Sequence, residues 1–138
     1  MIHRKSRKKN YWYAVGRRKE ATAVVRLFKG KGETVVNEKP IGEYFSGPVA
    51  ETYYQLPFKI TDNLDKFWAK INVFGGGKKG QLEAVVLALS RALEKFNLPI
   101  YRPILKKAGL LTVDSRARER RKPGLGGKAR RKKQSPKR

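Results

Sequence analysis

Hydrophobic and polar positions alternate along several stretches of the chain, as in strands that bury one face. Residues 11–29, YWYAVGRRKEATAVVRLFK, are rich in β-branched and aromatic types and predict one strand that can bend at Gly16. The GKGE stretch at 30–33 predicts a turn, and TVVN at 34–37 predicts a second strand pairing back as a hairpin. FWAKINVF, residues 67–74, alternates well enough to predict a further strand.

In much of the second half of the chain, the apolar residues recur with the period of a helix. From Gln81 to Phe96 the apolar positions follow helical spacing and predict an amphipathic helix with a core-facing stripe. Residues 41–46 and 48–56 predict short helical pieces, and Ile104 to Ala108 predicts another short helix with Gly109 as its C′ residue. The stripe comprises Leu82, Val85, Val86, Leu89, Leu93 and Phe96.

These elements predict a two-layer α+β domain, with a mixed sheet of about four strands packed against helices, over residues 11–114. Residues 1–10 hold almost no apolar side chain and are expected to be a disordered basic arm. Residues 115–138 hold only three apolar side chains, so we expect an extended basic tail that does not fold alone.

Charge is concentrated at the two ends of the chain. The net charge is +23, from 34 Lys and Arg against 11 Asp and Glu. Residues 1–19 hold eight basic and no acidic side chains, residues 20–114 hold 14 and 10, and residues 115–138 hold 12 and one. A domain with this charge repels itself unless a polyanion is its normal environment, which indicates a nucleic acid or an anionic membrane surface.

Several function classes find no support in the composition. Without cysteine there are no disulfides or thiolate metal sites, and His3 is the only histidine, so a catalytic triad or a multi-histidine metal site is not expected. No apolar run approaches the ~18 residues of a membrane span, and the first residues lack the apolar segment of a secretory signal. We therefore expect a soluble intracellular protein that is not an enzyme and uses no cofactor, metal or small-molecule substrate.

A glycine motif with three interpretations joins the strand at 67–74 to the long helix. Gly75-x-Gly77-x-x-Gly80 has the spacing of a dinucleotide-binding fingerprint, but no carboxylate follows about 20 residues later to hold a ribose. The glycines can instead simply turn the strand into the helix. The interpretation we favour is a nucleic-acid phosphate site, in which backbone amides, Lys78 and Lys79 attract the anion.

A second basic cluster lies beside aromatic residues near the start of the domain. Arg17, Arg18 and Lys19 follow Gly16 and the run Tyr11-Trp12-Tyr13. Cations of this kind hold phosphates while aromatic rings stack on exposed bases. Alternatively, Trp12 and Tyr13 pack in the core. The tail interleaves Arg with Gly and Pro, which suits an extended segment that neutralises phosphates without reading sequence.

In this order and spacing, the motifs resemble those of the bacterial type of the ninth small-subunit ribosomal protein family. They are GRRK at 16–19 followed by AxAVVR, EYF at 43–45, VFGGGxxGQ at 73–81 leading into SRAL at 90–93, LKKAGLLTVDSRxxERRKPGL at 105–125, KARR at 128–131 and a terminal KR. The resemblance spans nearly everything from Tyr11 to Arg138.

The resemblance implies a small α+β domain with a left-handed βαβ crossover, against the usual hand. It also implies a structural role in the cytoplasmic ribosome, with binding to small-subunit ribosomal RNA in the head beside neighbouring head proteins, and no membrane partner. The C-terminal tail of the chain would reach peptidyl-site tRNA. The implied ribosomal RNA contacts are Arg17, Arg18, Lys19, Gly75, Gly76, Gly77, Lys78, Lys79, Arg116, Arg118, Arg120, Arg121, Lys122, Lys128, Arg130 and Arg131, and the implied tRNA contacts are Lys137 and Arg138.

The tail departs from the family pattern at two places. Members typically end in an aromatic residue followed by Ser-Lys-Arg, whereas this chain ends in Gln134-Ser135-Pro136-Lys137-Arg138. The chain also has one more residue at Gly126-Gly127. Stacking by that aromatic is therefore not expected here. Two other hypotheses stay open from the residues alone: a free-standing basic nucleic-acid binder, such as an RNA chaperone or a chromosome-compacting protein, and a nucleotide-dependent enzyme.

Overall fold

The segment from Trp12 to Lys29 forms two antiparallel strands in the computed structural model, which describes residues 11–112. Strand β1 (Trp12–Arg18) pairs with β2 (Ala21–Lys29), and Arg18 lies opposite Ala21. The prediction of one bent strand was therefore wrong. The chain reverses at Lys19, whose φ of 55° is left-handed, and no glycine, proline or asparagine marks this turn.

In the described part of the chain the sheet has five strands, in the order β1-β2-β5-β3-β4. The remaining strands are β3 (Val35–Val36), β4 (Lys39–Pro40) and β5 (Phe67–Phe74), the last as predicted. The prediction that 34–37 pairs with the first strand was wrong. Strand β2 already has β1 on one edge and antiparallel β5 on the other, so β3 pairs in parallel with β5.

Within residues 11–112, four helices accompany the sheet: α1 (Ile41–Tyr44), α2 (Pro48–Ile60), α3 (Lys78–Phe96) and α4 (Leu98–Lys107). The α+β class and the mixed sheet are confirmed. Because α1 and α2 connect β3 to its parallel neighbour β5, they form a β-α-β crossover. Its left-handed sense stays a prediction.

Helix α4 begins earlier than the sequence suggests. Its first residue is Leu98 rather than Ile104. Pro99 lies in the first turn, where proline is tolerated because the backbone N–H that it lacks would have no acceptor within the helix. The predicted C′ role of Gly109 is confirmed: its φ is 76°, its N–H donates to the Lys106 carbonyl and the Leu110 N–H donates to the Leu105 carbonyl. This is the Schellman pattern of a helix end.

The core lies between α3 and one face of the sheet. Buried side chains alternate along the strands, with Val25 and Leu27 on β2 and Ile71 on β5. The apolar stripe predicted on the long helix is confirmed as core. Helix α3 also protects the edge strand, since Arg91 and Lys95 donate to the carbonyl oxygens of Val15 and Tyr13 on β1. These bonds occupy acceptors that another strand would otherwise use.

Candidate nucleic-acid interface

The glycine run packs directly against the β1–β2 turn. Gly75 and Gly76 have φ values of 76° and 61°, the left-handed region that glycine adopts without strain. A Cβ atom on Gly75 would lie 2.4 Å from the Glu20 carbonyl oxygen, and one on Gly76 would lie 3.1 Å from the Ala21 nitrogen. These two glycines therefore allow two backbone segments to approach closely, and their first role is to join the loop to the turn.

The same loop opens helix α3. Gly77 is the N-cap residue, it contributes no side chain to satisfy the first amides, and a Cβ there would meet nothing within 4 Å. The first turn holds no acidic side chain. The helix therefore starts with backbone N–H groups that no side chain caps, with open space before them and no carboxylate in the first turn. This environment favours the binding of an anion.

The two lysines of the loop differ in their surroundings. The Nζ of Lys78 donates to the Tyr44 carbonyl oxygen at 3.0 Å and lies 3.4 Å from the centroid of the Tyr44 ring, so this ammonium group is already engaged. Lys79 is exposed and has no hydrogen-bond or ion-pair partner within residues 11–112. Of the pair, Lys79 is the one positioned to meet a phosphate without first breaking a contact.

The three cations of the hairpin also differ from one another. The Nε of Arg18 donates to the Glu83 Oε2 at 2.6 Å, and its side chain is only 12% exposed, so it ties β1 to α3. Arg17 points to the opposite side of the strand and is exposed, and Lys19 is exposed at the tip of the turn. In the described part of the chain neither Arg17 nor Lys19 has an ion-pair partner.

Contact between the turn and the glycine loop brings the predicted residues of both motifs to one end of the sheet. We call Arg17, Lys19, Gly77 and Lys79 the hairpin–loop surface. The predicted contacts Arg116, Arg118, Arg120, Arg121, Lys122, Lys128, Arg130, Arg131, Lys137 and Arg138 lie outside the described residues, as do the arm at 1–10 and the tail at 115–138.

The sequence left open whether Trp12 and Tyr13 stack on bases or pack in the core, and the structure places the two side chains differently. Trp12 packs into the core with an edge-to-face contact to Phe96, the ring centroids being 4.7 Å apart. Tyr13 is 45% exposed on the other side of the strand. The stacking hypothesis therefore applies to Tyr13 and the packing hypothesis to Trp12.

Sequence reasoning missed the polar network that supports the loop. The Tyr44 hydroxyl donates to Gln81 Oε1 at 2.7 Å, and Gln81 Nε2 donates to the Gly75 carbonyl oxygen at 3.1 Å. Asn37 continues the ladder beside β5, because its amide both donates to the Val73 carbonyl oxygen and accepts from the Val73 N–H. Tyr44 and Gln81 stand in the EYF and VFGGGxxGQ motifs, but nothing in the sequence indicated that their side chains bond to each other.

The surroundings of the loop differ from those of a dinucleotide site. Helix α3 is followed by α4, not by a parallel strand that could complete a mononucleotide-binding unit. Among residues 11–112 no group of His, Asp and Glu side chains could hold a metal ion. Over the same range no helix is both long and apolar enough to span a membrane.

Two comparisons with known proteins, one with family models and one with individual sequences, agree with each other. Residues 16–138 match the family model described as ribosomal protein S9/S16. The chain is also 48% identical, over 119 residues, to the small ribosomal subunit protein uS9 of Maridesulfovibrio salexigens. That alignment covers 86% of this chain and 91% of the relative.

Proposed function

Since the chain belongs to the ribosomal protein S9/S16 family, we propose that it is a structural constituent of the small ribosomal subunit. It binds ribosomal RNA in the head of the subunit beside other head proteins, and its C-terminal tail contacts peptidyl-site tRNA during translation. It acts in the cytoplasmic ribosome, by binding rather than by catalysis. Helping the head RNA fold during assembly is part of the same role.

The observation that supports RNA binding most strongly is the packing of the glycine loop on the hairpin turn. A Cβ at Gly75 would overlap the Glu20 carbonyl oxygen, so the loop and the turn form one continuous edge. Arg17, Lys19 and Lys79 lie along that edge without partners in residues 11–112. Exposed cations beside an uncapped helix start neutralise phosphates and release counterions.

Recognition at this edge is expected to depend on backbone shape. Double-stranded RNA has a deep, narrow major groove that side chains cannot read, so phosphates and 2′-hydroxyls are the available contacts. Lysine and arginine contacts to phosphates fix position without reading sequence. A free-standing basic nucleic-acid binder is the alternative, and it predicts similar affinity for DNA and for RNA.

Deleting Lys137 and Arg138 is expected to weaken retention of peptidyl-site tRNA while leaving incorporation into subunits intact. The reason is that these two cations belong to a basic segment and can neutralise phosphates of a tRNA stem. The measurement is tRNA dissociation from purified subunits carrying the full chain or the truncated chain. As a control, Lys132→Gln with Lys133→Gln removes the same charge inside the tail. Equal tRNA retention by truncated and full-length subunits would contradict the tail's role.

A further inference from the structure

The face of the sheet opposite α3 is lined by aromatic and basic side chains. Alternate residues of β1, β2 and β5, which do not enter the core, form this open sheet face. It comprises Tyr13, Val15, Arg17, Thr22, Val24, Arg26, Phe28, Trp68, Lys70, Asn72 and Phe74, with Tyr11 at its margin. None of these residues is acidic, and three are cations.

Strand register places the cations in rows with the aromatic rings. Tyr13 lies opposite Arg26, which lies opposite Lys70. Arg17 lies opposite Thr22, which lies opposite Phe74. Two strand spacings and four residues along a strand separate Tyr13 from Phe74, a diagonal of about 17 Å.

The aromatic residues form two groups of different character. At one end Phe28 stacks on Trp68 with centroids 4.4 Å apart, Tyr11 contacts Phe28, and a Cβ on Gly32 would lie 2.6 Å from the Trp68 ring. These rings are already covered by one another, by backbone and by two cations of the face, since Arg26 lies 5.5 Å from the Tyr11 centroid and Lys70 lies 5.9 Å from the Trp68 centroid. Tyr13 and Phe74 are 45% and 58% exposed, and neither packs on another ring within residues 11–112. The Lys95 ammonium lies 5.9 Å from the Tyr13 centroid.

We infer that the open sheet face binds unpaired RNA nucleotides, whose bases stack on Tyr13 and Phe74 while Arg17, Arg26 and Lys70 contact phosphates. Stacking on a side chain requires that one face of an RNA base be accessible, which is true of bases in a loop or bulge but not of bases in a duplex. On the protein, the rings of Tyr13 and Phe74 are already in contact with water, so presenting them to a base requires little change. The combination of aromatic rings and cations is the one that single-stranded nucleic-acid binders use.

The charge of the face favours this occupant over another protein. A protein partner would bury three cations and would need matching carboxylates to balance them, whereas RNA supplies a negative charge with every nucleotide. The inference goes beyond the proposed function, because it assigns a second surface, which shares only Arg17 with the hairpin–loop surface, and a stacking mode that phosphate contacts there do not require. It depends on the proposed RNA binding only for the class of partner.

The test is binding of a short labelled oligouridine to the full-length protein and to the variant Tyr13→Leu with Phe74→Leu. Oligouridine forms little structure of its own, so its bases are free to stack. Each lost stacking ring is expected to weaken binding at least about fivefold. The dependence on salt should not change, because no charge is removed. Tyr53→Leu is the matched control, since Tyr53 on α2 is 49% exposed but lies outside the open sheet face.

A second measurement locates the contact in assembled subunits. Ultraviolet cross-linking followed by mass spectrometry is expected to find uridines attached to Tyr13 and Phe74. Unchanged oligouridine binding by the double variant, together with cross-links only to other segments, would overturn the inference while leaving the proposed function standing. If no RNA cross-links formed anywhere on the chain, the proposed function itself would fail. A protein cross-linked to this face would also overturn the inference.

Discussion

Replacing Gly16 by alanine is expected to destabilise the domain by about 3 kcal/mol or more, the upper end of the range for overpacked cores. A Cβ at this position would lie 2.1 Å from the Ala84 carbonyl oxygen and 2.7 Å from the Ala88 nitrogen. Both are backbone atoms of α3, so no side chain can rotate to make room. Helix and strand would have to separate along their whole contact, and the measurement is the free energy of unfolding in urea.

Gly42→Ala is the matched control for that substitution. Gly42 lies in helix α1, where a Cβ would meet only the Tyr54 hydroxyl at an ordinary 3.9 Å. Alanine is the better helix former, so we expect a gain of up to about 1 kcal/mol. A Gly16→Ala protein as stable as the unaltered protein would show that α3 does not approach β1 as closely as described.

Neutralising the hairpin–loop surface is expected to give the largest loss of RNA binding. In the variant Arg17→Gln, Lys19→Gln and Lys79→Gln, each lost phosphate contact should reduce the slope of log affinity against log salt by about 0.7–0.9. Three lost contacts lower the slope by about 2.1–2.7 and the affinity at 0.1 M salt by about 100- to 500-fold. The measurement is binding to a fragment of small-subunit ribosomal RNA across a series of salt concentrations.

Three lysines at the other end of the sheet provide a control with the same change in net charge. Lys31, Lys59 and Lys66 are exposed, and the turn near Lys31 bonds to the loop that leads into β5, since the Gly30 N–H donates to the Lys66 carbonyl oxygen. Their change to glutamine should alter the slope much less. If both triple variants lose the same affinity, binding follows total charge and the hairpin–loop surface has no special role.

The fold class was predictable because it depends on patterns that are local in the chain. The stripe from Leu82 to Phe96 and the alternation at 67–74 both became the elements that they predict. Gly109 could also be placed, since a helix end that needs a left-handed residue favours glycine. These features reflect burial and backbone conformation, which each segment largely determines for itself.

The errors arose where a residue acts through a distant partner. Gly16 looked like a bend in a strand, but it is a contact surface for α3, 68 residues away at Ala84. Lys19 adopts the left-handed turn without being a glycine or asparagine, so nothing in the local composition marks the reversal. The partner of β3 depended on which edges of β2 were already occupied, and that is a property of the whole sheet.

The site was predictable in part. The glycine loop and the GRRK motif were each identified from the sequence, but their contact through Gly75 and the Glu20 carbonyl oxygen was not. Nor could the sequence separate Lys79 from Lys78, whose engagement depends on the fold of α1 around Tyr44. Side-chain pairing between segments distant in the chain requires the three-dimensional structure.

Assembly into the small ribosomal subunit can be tested by sedimentation of the tagged full-length protein from a cell lysate through a sucrose gradient at high salt. Loose electrostatic binding weakens steeply as salt rises, whereas an assembled ribosomal protein stays with its RNA. We expect a peak that remains with the small ribosomal subunit after the wash. A protein that moves to the top of the gradient, or that follows DNA, would contradict it and would indicate a general nucleic-acid binder.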